Sequence, residues 1–200
     1  MKRTFSTIIF ILITISLLAS PETIINNLKN RYLNFTTFEA DIIQTNYFSD
    51  HEITLESKGS IFWHNDTIVL EYTEPVYQFK KSDNTSLILY FARENTAIVS
   101  TGENPVTHTI LHFSNLLNQD FEYYGRRNDK FIFTVLSPID KEQNIRLYIN
   151  QSESLIETIT YKDEFENTIS ITLQNQRFNQ PLSKSVESFV IPQGTSIIQN

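Results

Sequence analysis

The sequence predicts an open, strongly curved antiparallel β half-barrel, mainly β with some α, covered by α-helices. Three observations lead to this prediction. Apolar residues recur at helical spacing up to Asn34 and then with a period of two from Phe38 onward. Connections of hairpin length join most of the alternating runs, which makes neighbouring strands antiparallel. A helical segment interrupts the series near mid-chain, and an antiparallel sheet of about 10 or 11 strands must curl.

The N-terminus has the features of an export signal. Lys2 and Arg3 form a basic start, and residues 8–18 are almost entirely apolar. This run is shorter than the roughly 20 residues that span a bilayer comfortably, so an uncleaved anchor is the less favoured alternative. We expect residues 1–20 to be a cleaved signal peptide and residues 21–200 to form a single domain in the periplasm.

Residues 21–34 have the pattern of a helix that packs on a sheet. Pro21 suits a first helical turn, and Glu22 interacts favourably with the positive end of the helix dipole. The apolar residues recur at helical spacing: Ile24, Ile25, Leu28, Tyr32 and Leu33. We therefore expect one face of this helix to be buried against the strands that follow.

The strands are separated by short polar turns such as residues 64–66, and Asn84 is suited to a left-handed turn position. A second helix is predicted at residues 106–118, with Ile110, Phe113 and Leu117 on one apolar stripe. The predicted strands cover residues 38–45, 53–63, 68–72, 76–81, 87–91 and 96–101 before this helix, and residues 121–125, 130–136, 144–150, 155–161, 168–178 and 184–191 after it.

Composition excludes several classes of function. The formal net charge is −7, which argues against nucleic acid because phosphate binding requires clustered Lys and Arg. Cysteine is absent, so disulfides, thiolate metal sites and a lipid attached to cysteine are excluded. The four glycines form no phosphate-binding loop.

No catalytic arrangement is convincing in this sequence. His108 and His112 have the i, i+4 spacing of a helical metal pair, but the glutamate that makes such a pair informative is missing. There is no nucleophile elbow. We expect no enzyme, no metal and no cofactor. The 15 Phe and 9 Tyr residues either fill a core or help to hold an apolar ligand between sheet and helices, and composition leaves both open.

Several motifs, in order along the chain, resemble the LolA-type periplasmic outer-membrane lipoprotein carriers. Each motif is weak alone, whereas the ordered set spans essentially the whole mature chain. The matching stretches are Phe38-x-Ala40-x-Ile42-x-Gln44, Gly59-x-Ile61-Phe62-Trp63, Leu70-Glu71-Tyr72-x-x-Pro75, Ser82-Asp83 before Leu87 to Tyr90, a helix led by Pro105, and Phe189-x-Ile191-Pro192-x-Gly194-x-x-x-Ile198.

The resemblance implies a half-barrel that binds the acyl chains of lipoproteins in an apolar cavity and carries them from the inner to the outer membrane. The implied partners are an inner-membrane ABC transporter and an outer-membrane acceptor, and family members are not enzymes. We expect this protein to be a monomer. A carrier with an apolar cavity is physically reasonable, because each CH₂ group of an acyl chain exposed to water costs about 0.8 kcal/mol. Two alternatives stay open: a different acylated cargo, such as a glycolipid or polyketide-like lipid, or an exported protein-interaction module with a filled core.

The predicted cavity wall combines sheet and helix residues: Phe62, Ile68, Leu70, Ile110, Phe113 and Leu117. If the parity of the strands is reversed, Trp63 and Val69 point inward instead.

The family has an arginine after the tryptophan-containing strand that helps to hold the helical lid. This chain has His64 or Asn65 there, and neither offers a permanently charged fork of donors. We assign lid control to these two residues, with the hypothesis that protonation of His64 makes closure sensitive to pH.

Overall fold

The computed structural model describes residues 20–102, 113–136, 144–163 and 165–199. Helix α1 spans Pro21–Tyr32, and its first turn is capped by the Ser20 side chain, which accepts a hydrogen bond from the Thr23 N–H. Ile24, Leu28 and Tyr32 are buried, as the predicted apolar stripe requires. The first helix is therefore confirmed, although it ends two residues earlier than the pattern suggested.

Twelve strands form one open sheet in the described part of the chain, in the order β12-β6-β5-β4-β3-β2-β1-β11-β10-β9-β8-β7. β2 and β1 therefore lie in the middle, and β12 and β7 are the two edges. The strands are β1 Thr37–Phe48, β2 Ile53–His64, β3 Thr67–Glu74, β4 Gln78–Ser82, β5 Ser86–Phe91, β6 Thr96–Thr101, β7 Asp120–Arg127, β8 Lys130–Leu136, β9 Arg146–Asn150, β10 Ile156–Lys162, β11 Thr168–Phe178 and β12 Ser196–Gln199.

A short helix, α2, spans Phe113–Leu117 between β6 and β7. It is the C-terminal part of the predicted helix 106–118, and residues 103–112 lie outside the described residues. None of the described helices is long and apolar enough to cross a membrane.

The two faces of the sheet carry separate clusters of buried side chains. We call the side with Phe38, Ile61 and Leu70 the inner face, since it shares one continuous core with α1 and α2. The opposite, outer face carries Phe62 and Val69, and a third cluster around Phe79. Residues paired across neighbouring strands share a face, so the register assigns the remaining side chains.

Gly59 lies where the backbones of β2 and β3 approach each other closely. A Cβ atom at this position would be 2.0 Å from the carbonyl oxygen of Glu71, so no other residue fits without moving the backbone. The register between β2 and β3 also shifts between Lys58 and Gly59. The glycine of the second sequence motif therefore permits a close strand approach in the middle of the curved sheet.

The C-terminal segment differs from the prediction. Residues 184–191 are not a strand: Val186–Ser188 form a 3₁₀ turn, and Val186 and Phe189 pack on the outer face. Val186 and Phe189 are three residues apart, which is one turn of a 3₁₀ helix. The Ser185 side chain accepts a hydrogen bond from the Glu187 N–H at the start of this turn. The last strand is instead β12, which pairs in parallel with β6, so one edge of the sheet is not antiparallel.

Candidate functional site

An aromatic cluster joins α1, α2 and the sheet on the inner face. The ring of Phe113, the first residue of α2, lies 4.8 Å from Tyr32 and 5.3 Å from Phe38, both in edge-to-face geometry. It also stacks on the indole of Trp63, with centroids 5.7 Å apart and planes inclined by 16°. Phe113, Leu116 and Leu117 are all buried in the inner core. α2 therefore covers the inner face through apolar contacts.

Helix α1 is held differently, by buried hydrogen bonds. The Tyr32 hydroxyl donates to Gln176 Oε1 and accepts from the Ile156 N–H at 3.0 Å. Gln176 Nε2 in turn donates to the Ile156 carbonyl at 2.7 Å. Burial raises the pKa of Tyr32 well above its ordinary value, which keeps the phenol neutral. α1 is thus fixed to β10 and β11, whereas between described residues no hydrogen bond joins α2 to the sheet.

The turn after β2 connects to α2 through Trp63. The indole N–H of Trp63 donates to the carbonyl of Asn65, whose φ of 52° is left-handed. The Asn65 N–H donates to Thr36 O at 3.5 Å. The His64 side chain is exposed, and within the described part of the chain it forms no hydrogen bond or ion pair. The structure therefore brings the Asn65 backbone, and not the His64 imidazole, into contact with the α2 packing.

Four of the predicted wall residues share the inner core. Ile68 and Leu70 of β3 belong to the same buried cluster as Phe113 and Leu117 of α2. Ile110 lies outside the described residues. The structure thus places four of the five described members of this wall together, with Phe62 as the exception.

The predicted position of Phe62 is wrong. Phe62 pairs with Val69, and both lie on the outer face, where Phe62 packs against Phe189 at 5.4 Å. Its neighbours in β2 face inward instead, since Ile61 pairs with Leu70 and Trp63 with Ile68. Alternation along β2 therefore replaces Phe62 by Ile61 and Trp63 on the inner face. The alternative strand parity predicted that Trp63 and Val69 both face inward. This is correct for Trp63 and wrong for Val69.

The inner face continues beyond α2 over β4, β5 and β6. We call this region the β4–β6 wall; its residues are Lys80, Ser82, Leu87, Leu89 and Ile98. Register places them on the inner face: Lys80 pairs with Leu70 and Leu89, Ser82 with Ile68 and Leu87, and Leu89 with Ile98. The three apolar members are only partly buried and do not belong to the inner core. This wall was missed because Lys80 and Lys81 are adjacent, and nothing in the sequence shows which of them faces inward.

A separate polar cleft of about 1300 Å³ lies between α1 and the ends of β9, β10 and β11. Its lining is rich in amides, including Asn27, Asn30 and Asn175, and it contains none of the predicted wall residues. In its lining, Asn150 Nδ2 donates to Glu157 at 2.7 Å, and Arg31 lies over the ring of Phe178. The cleft is thus chemically distinct from the inner face.

Two carboxylates attach the C-terminal segment to the outer face. Glu71 accepts hydrogen bonds from Tyr77 at 2.8 Å and Lys184 at 2.7 Å. Glu39 pairs with Arg177 and accepts from the Ser183 N–H at 2.8 Å. Burial alone would raise the pKa of Glu39, but the hydrogen bonds from Ser183 and Arg177 outweigh it and hold that pKa below its ordinary value.

Metal chemistry finds no support in the described residues, among which no three His, Cys, Asp or Glu side chains form a group that could hold an ion. His108 and His112, the pair noted in the sequence, lie outside the described residues. The site that remains is therefore the apolar inner face with its two helices.

An open, curved sheet of twelve strands, with helices packed on an apolar inner face, defines a half-barrel protein of the type predicted from sequence. The fold is shared by an uncharacterized conserved protein from Thermus thermophilus. Its structure matches with a TM-score of 0.58 at 11% identity, covering 91% of this chain and 100% of that chain. At this identity the likeness shows the fold alone.

Two curated relatives are named outer-membrane lipoprotein carrier protein. The protein from Campylobacter jejuni is 26% identical over 173 residues, which is 84% of this chain and 89% of that protein. The protein from Cupriavidus taiwanensis is 25% identical over 156 residues, or 74% of this chain and 73% of that protein. No protein-family model matches the chain. The resemblance to the LolA-type carriers that the motifs predicted is confirmed by these two relatives.

Proposed function

We propose that this protein is a periplasmic carrier that binds the acyl chains of lipoproteins and moves them from the inner to the outer membrane. The observation that carries the proposal is an apolar inner face closed by α2 through side-chain packing. The two relatives named as lipoprotein carriers support it over most of the chain. Their names describe carriers and not enzymes, in line with a site whose described residues offer no catalytic group.

Energy magnitudes are consistent with binding followed by release. The inner face beneath α2 is filled by the protein's own side chains, so cargo there must displace the helix. Exposing Phe113, Leu116 and Leu117 costs roughly 5–9 kcal/mol, at about 1.5–3 kcal/mol for each large apolar side chain. Covering an acyl chain of about 14 methylenes gains on the order of 10 kcal/mol. The two terms nearly offset each other, which keeps binding reversible.

The remaining parts of the proposal concern location and partners. The basic and apolar N-terminal run supports export, with the mature chain in the periplasm. An inner-membrane ABC transporter would load the cargo, and an outer-membrane acceptor would receive it. Asn65, acting through Trp63, is the lid-control residue that the geometry favours, and His64 remains the second candidate.

The proposal is tested by purifying the protein from its own periplasm and identifying bound species by native mass spectrometry. We expect acylated cysteinyl species, and the delipidated protein should take up a fluorescent fatty acid saturably. Leu89→Asn on the inner face should weaken uptake, whereas its neighbour Ile88→Asn on the outer face serves as the control. No bound lipid together with no uptake would refute a carrier function.

A second candidate is an exported protein-interaction module. It is favoured by the filled inner core and by the polar cleft of about 1300 Å³, which lies away from the apolar wall. The same mass spectra separate the candidates, because a module with a dry interior carries no lipid. Bound glycolipid or polyketide-like lipid in place of cysteinyl species would assign the other acylated cargo.

A further inference from the structure

Residues from three of the sequence motifs meet at a polar contact on the inner face. Tyr72 of β3 pairs with Gly59 of β2, which in turn pairs with Ile42 of β1. Because Gly59 has no side chain, the Tyr72 side chain can cross β2, and its hydroxyl donates to Gln44 Oε1 on β1 at 2.6 Å. Gln44, Gly59 and Tyr72 each belong to a different motif, so the motifs place polar groups within the apolar inner face.

The Gln44 amide is held by hydrogen bonds through both of its polar atoms. Its oxygen accepts from Tyr72, and its nitrogen donates to Asn46 Oδ1 at 3.0 Å. An amide nitrogen carries two hydrogens, so a second N–H of Gln44 is left to donate to another acceptor. The orientation of this donor is therefore fixed by the protein before a ligand binds.

Tyr161 of β10 adds a second donor to the same face. It pairs with Ile169 of β11, which pairs with Asn46 of β1, so two strand spacings, or roughly 10 Å, separate the backbones of Tyr161 and Asn46. Burial and, to a smaller degree, the Tyr161 phenol raise the pKa of Tyr72, which indicates that the two tyrosines lie near each other. The Tyr161 hydroxyl itself forms no hydrogen bond within the described part of the chain.

The apolar side chains beside these polar groups are exposed. Ile53 and Leu55 of β2 pair with Phe48 and Asn46 of β1, so they lie on the inner face, where they are 49% and 55% exposed. By contrast, the side chains of α2 fill the inner face beneath that helix. The polar groups therefore lie between a filled core and an apolar surface that is open to a hydrocarbon chain.

The chemistry of these groups favours a neutral acceptor. Phenol and amide groups donate hydrogen bonds without carrying a charge. Burial and the nearby Asp163 carboxylate raise the pKa of Tyr161 to about 12. Burial alone would raise the pKa of Asp163, but hydrogen bonds from Asn167 and the Phe165 N–H outweigh it and hold that pKa below its ordinary value. The ionised Asp163 would repel a free carboxylate at this position, whereas an ester carbonyl carries no charge.

We propose that Tyr161 and Gln44 form a subsite that binds the ester carbonyl oxygen of an acyl ligand, with the hydrocarbon chain lying along Leu55 and Ile53. The inference rests on the proposed carrier function and adds to it the position of the ligand's polar group. The Tyr161 O–H and the second Gln44 N–H donate to the carbonyl oxygen. Tyr72 is a positioning residue, because it holds the Gln44 amide.

The test is displacement of N-phenyl-1-naphthylamine, an apolar fluorescent probe without oxygen, from the delipidated protein. Methyl dodecanoate and dodecanoate are the two competitors. We expect Tyr161→Phe to weaken methyl dodecanoate by about 3- to 10-fold, as for loss of one neutral hydrogen bond, and to leave the affinity of the probe unchanged. Gln44→Met should lower the ratio of ester affinity to probe affinity by a similar factor.

Tyr148→Phe is the matched control. Tyr148 is a half-buried tyrosine of β9, and it lies on the outer face because its neighbours Leu147 and Ile149 belong to the inner core. Its pairing with Thr158 places it one strand away from Tyr161 in the sheet. Removal of its hydroxyl should therefore leave displacement by either competitor unchanged.

The outcomes separate the subsite from the carrier function. Equal displacement by methyl dodecanoate from wild type and Tyr161→Phe overturns the subsite and leaves the carrier function standing. A loss confined to dodecanoate overturns the assignment to an ester, because the hydroxyl then binds a free carboxylate. An equal loss in Tyr148→Phe also overturns the subsite, and an unchanged ratio in Gln44→Met overturns the role of Gln44. If neither the probe nor a competitor binds wild type, the carrier function fails and the subsite with it.

Thermal unfolding distinguishes a ligand contact from a structural role. Tyr161→Phe keeps the ring and removes a hydroxyl that has no hydrogen-bond partner among the described residues, so its melting temperature should equal that of wild type. A lower melting temperature in this variant would assign the hydroxyl a structural role and overturn the subsite. Gln44→Met also leaves the Tyr72 hydroxyl without its acceptor, so this variant is judged by the affinity ratio and not by stability.

Discussion

The indole of Trp63 stacks on the ring of Phe113 with centroids 5.7 Å apart, and this contact joins the end of β2 to the first residue of α2. The same indole donates its N–H to the carbonyl of Asn65 in the following turn. One side chain therefore links the rim of the sheet to the helix that covers the inner face. The stability and the opening of α2 should both depend on this contact.

Phe113→Ala is expected to lower stability and strengthen binding of apolar probes. The ring is fully buried among Tyr32, Phe38 and Trp63, and its truncation costs up to about 3–5 kcal/mol. α2 then competes less strongly with an acyl ligand for the inner face. Urea unfolding and titration with a fluorescent fatty acid measure the two effects. Phe165→Ala, at a side chain that is 71% exposed, is the control; weaker probe binding in Phe113→Ala would show that the ring belongs to the site and not to its cover.

The opening of α2, and with it ligand affinity, should depend on Trp63 and not on His64. His64 is exposed and makes no polar contact in the described part of the chain, so His64→Ala should leave ligand affinity equal to that of wild type at both mildly acidic and neutral pH. Trp63→Phe keeps a ring against Phe113 but loses the hydrogen bond to Asn65, and it should change affinity several-fold. Affinity that changes with pH in wild type but not in His64→Ala would restore the histidine hypothesis.

The periodicity of this sequence predicts where strands lie, but it does not always predict which face a residue occupies. Alternation located most of the strands, because half-buried strands need one apolar face. It left parity undecided in Ile61-Phe62-Trp63, where three consecutive apolar residues fit either face, and there Phe62 was assigned wrongly. The C-terminal turn and the parallel strand β12 were missed because their contacts are to strands β2, β3 and β6, far away in sequence. The pattern of apolar residues within a segment does not indicate which distant strand that segment will contact.

Tyr32→Phe should destabilise the protein by about 1–3 kcal/mol, because it leaves the Ile156 N–H and Gln176 Oε1 without their buried partner. For a chain of this size the melting temperature should fall by roughly 2–4 °C per kcal/mol. Calorimetry measures the shift, with Tyr124→Phe at an exposed tyrosine as the control. A melting temperature equal to that of wild type would mean that this hydroxyl does not fix α1.

Alkaline pH should weaken the fold, in part through Tyr32. Its pKa is raised in the folded state by burial, so its contribution is complete below the unfolded pKa of about 10 and is lost as pH rises above it. Tyr72 and Tyr161 shift in the same direction, and the pKa of Tyr161 is raised to about 12. Tyr32→Phe should therefore show a shallower loss of unfolding free energy above pH 10 than wild type. Parallel curves for the two proteins would exclude Tyr32 as a contributor.

Acidic pH should loosen the C-terminal segment through Glu39. Its folded pKa is lowered, so its contribution is present above the unfolded value of about 4.5 and is lost as pH falls through the folded pKa. Glu39→Gln removes the ion pair with Arg177, which should make the variant less stable than wild type at pH 7. The difference should shrink toward pH 3, because the fraction of wild type that carries this charge falls as pH falls. Urea unfolding at both pH values measures it, with exposed Glu94→Gln as the control; a difference that persists unchanged at pH 3 would assign the effect to packing instead of charge.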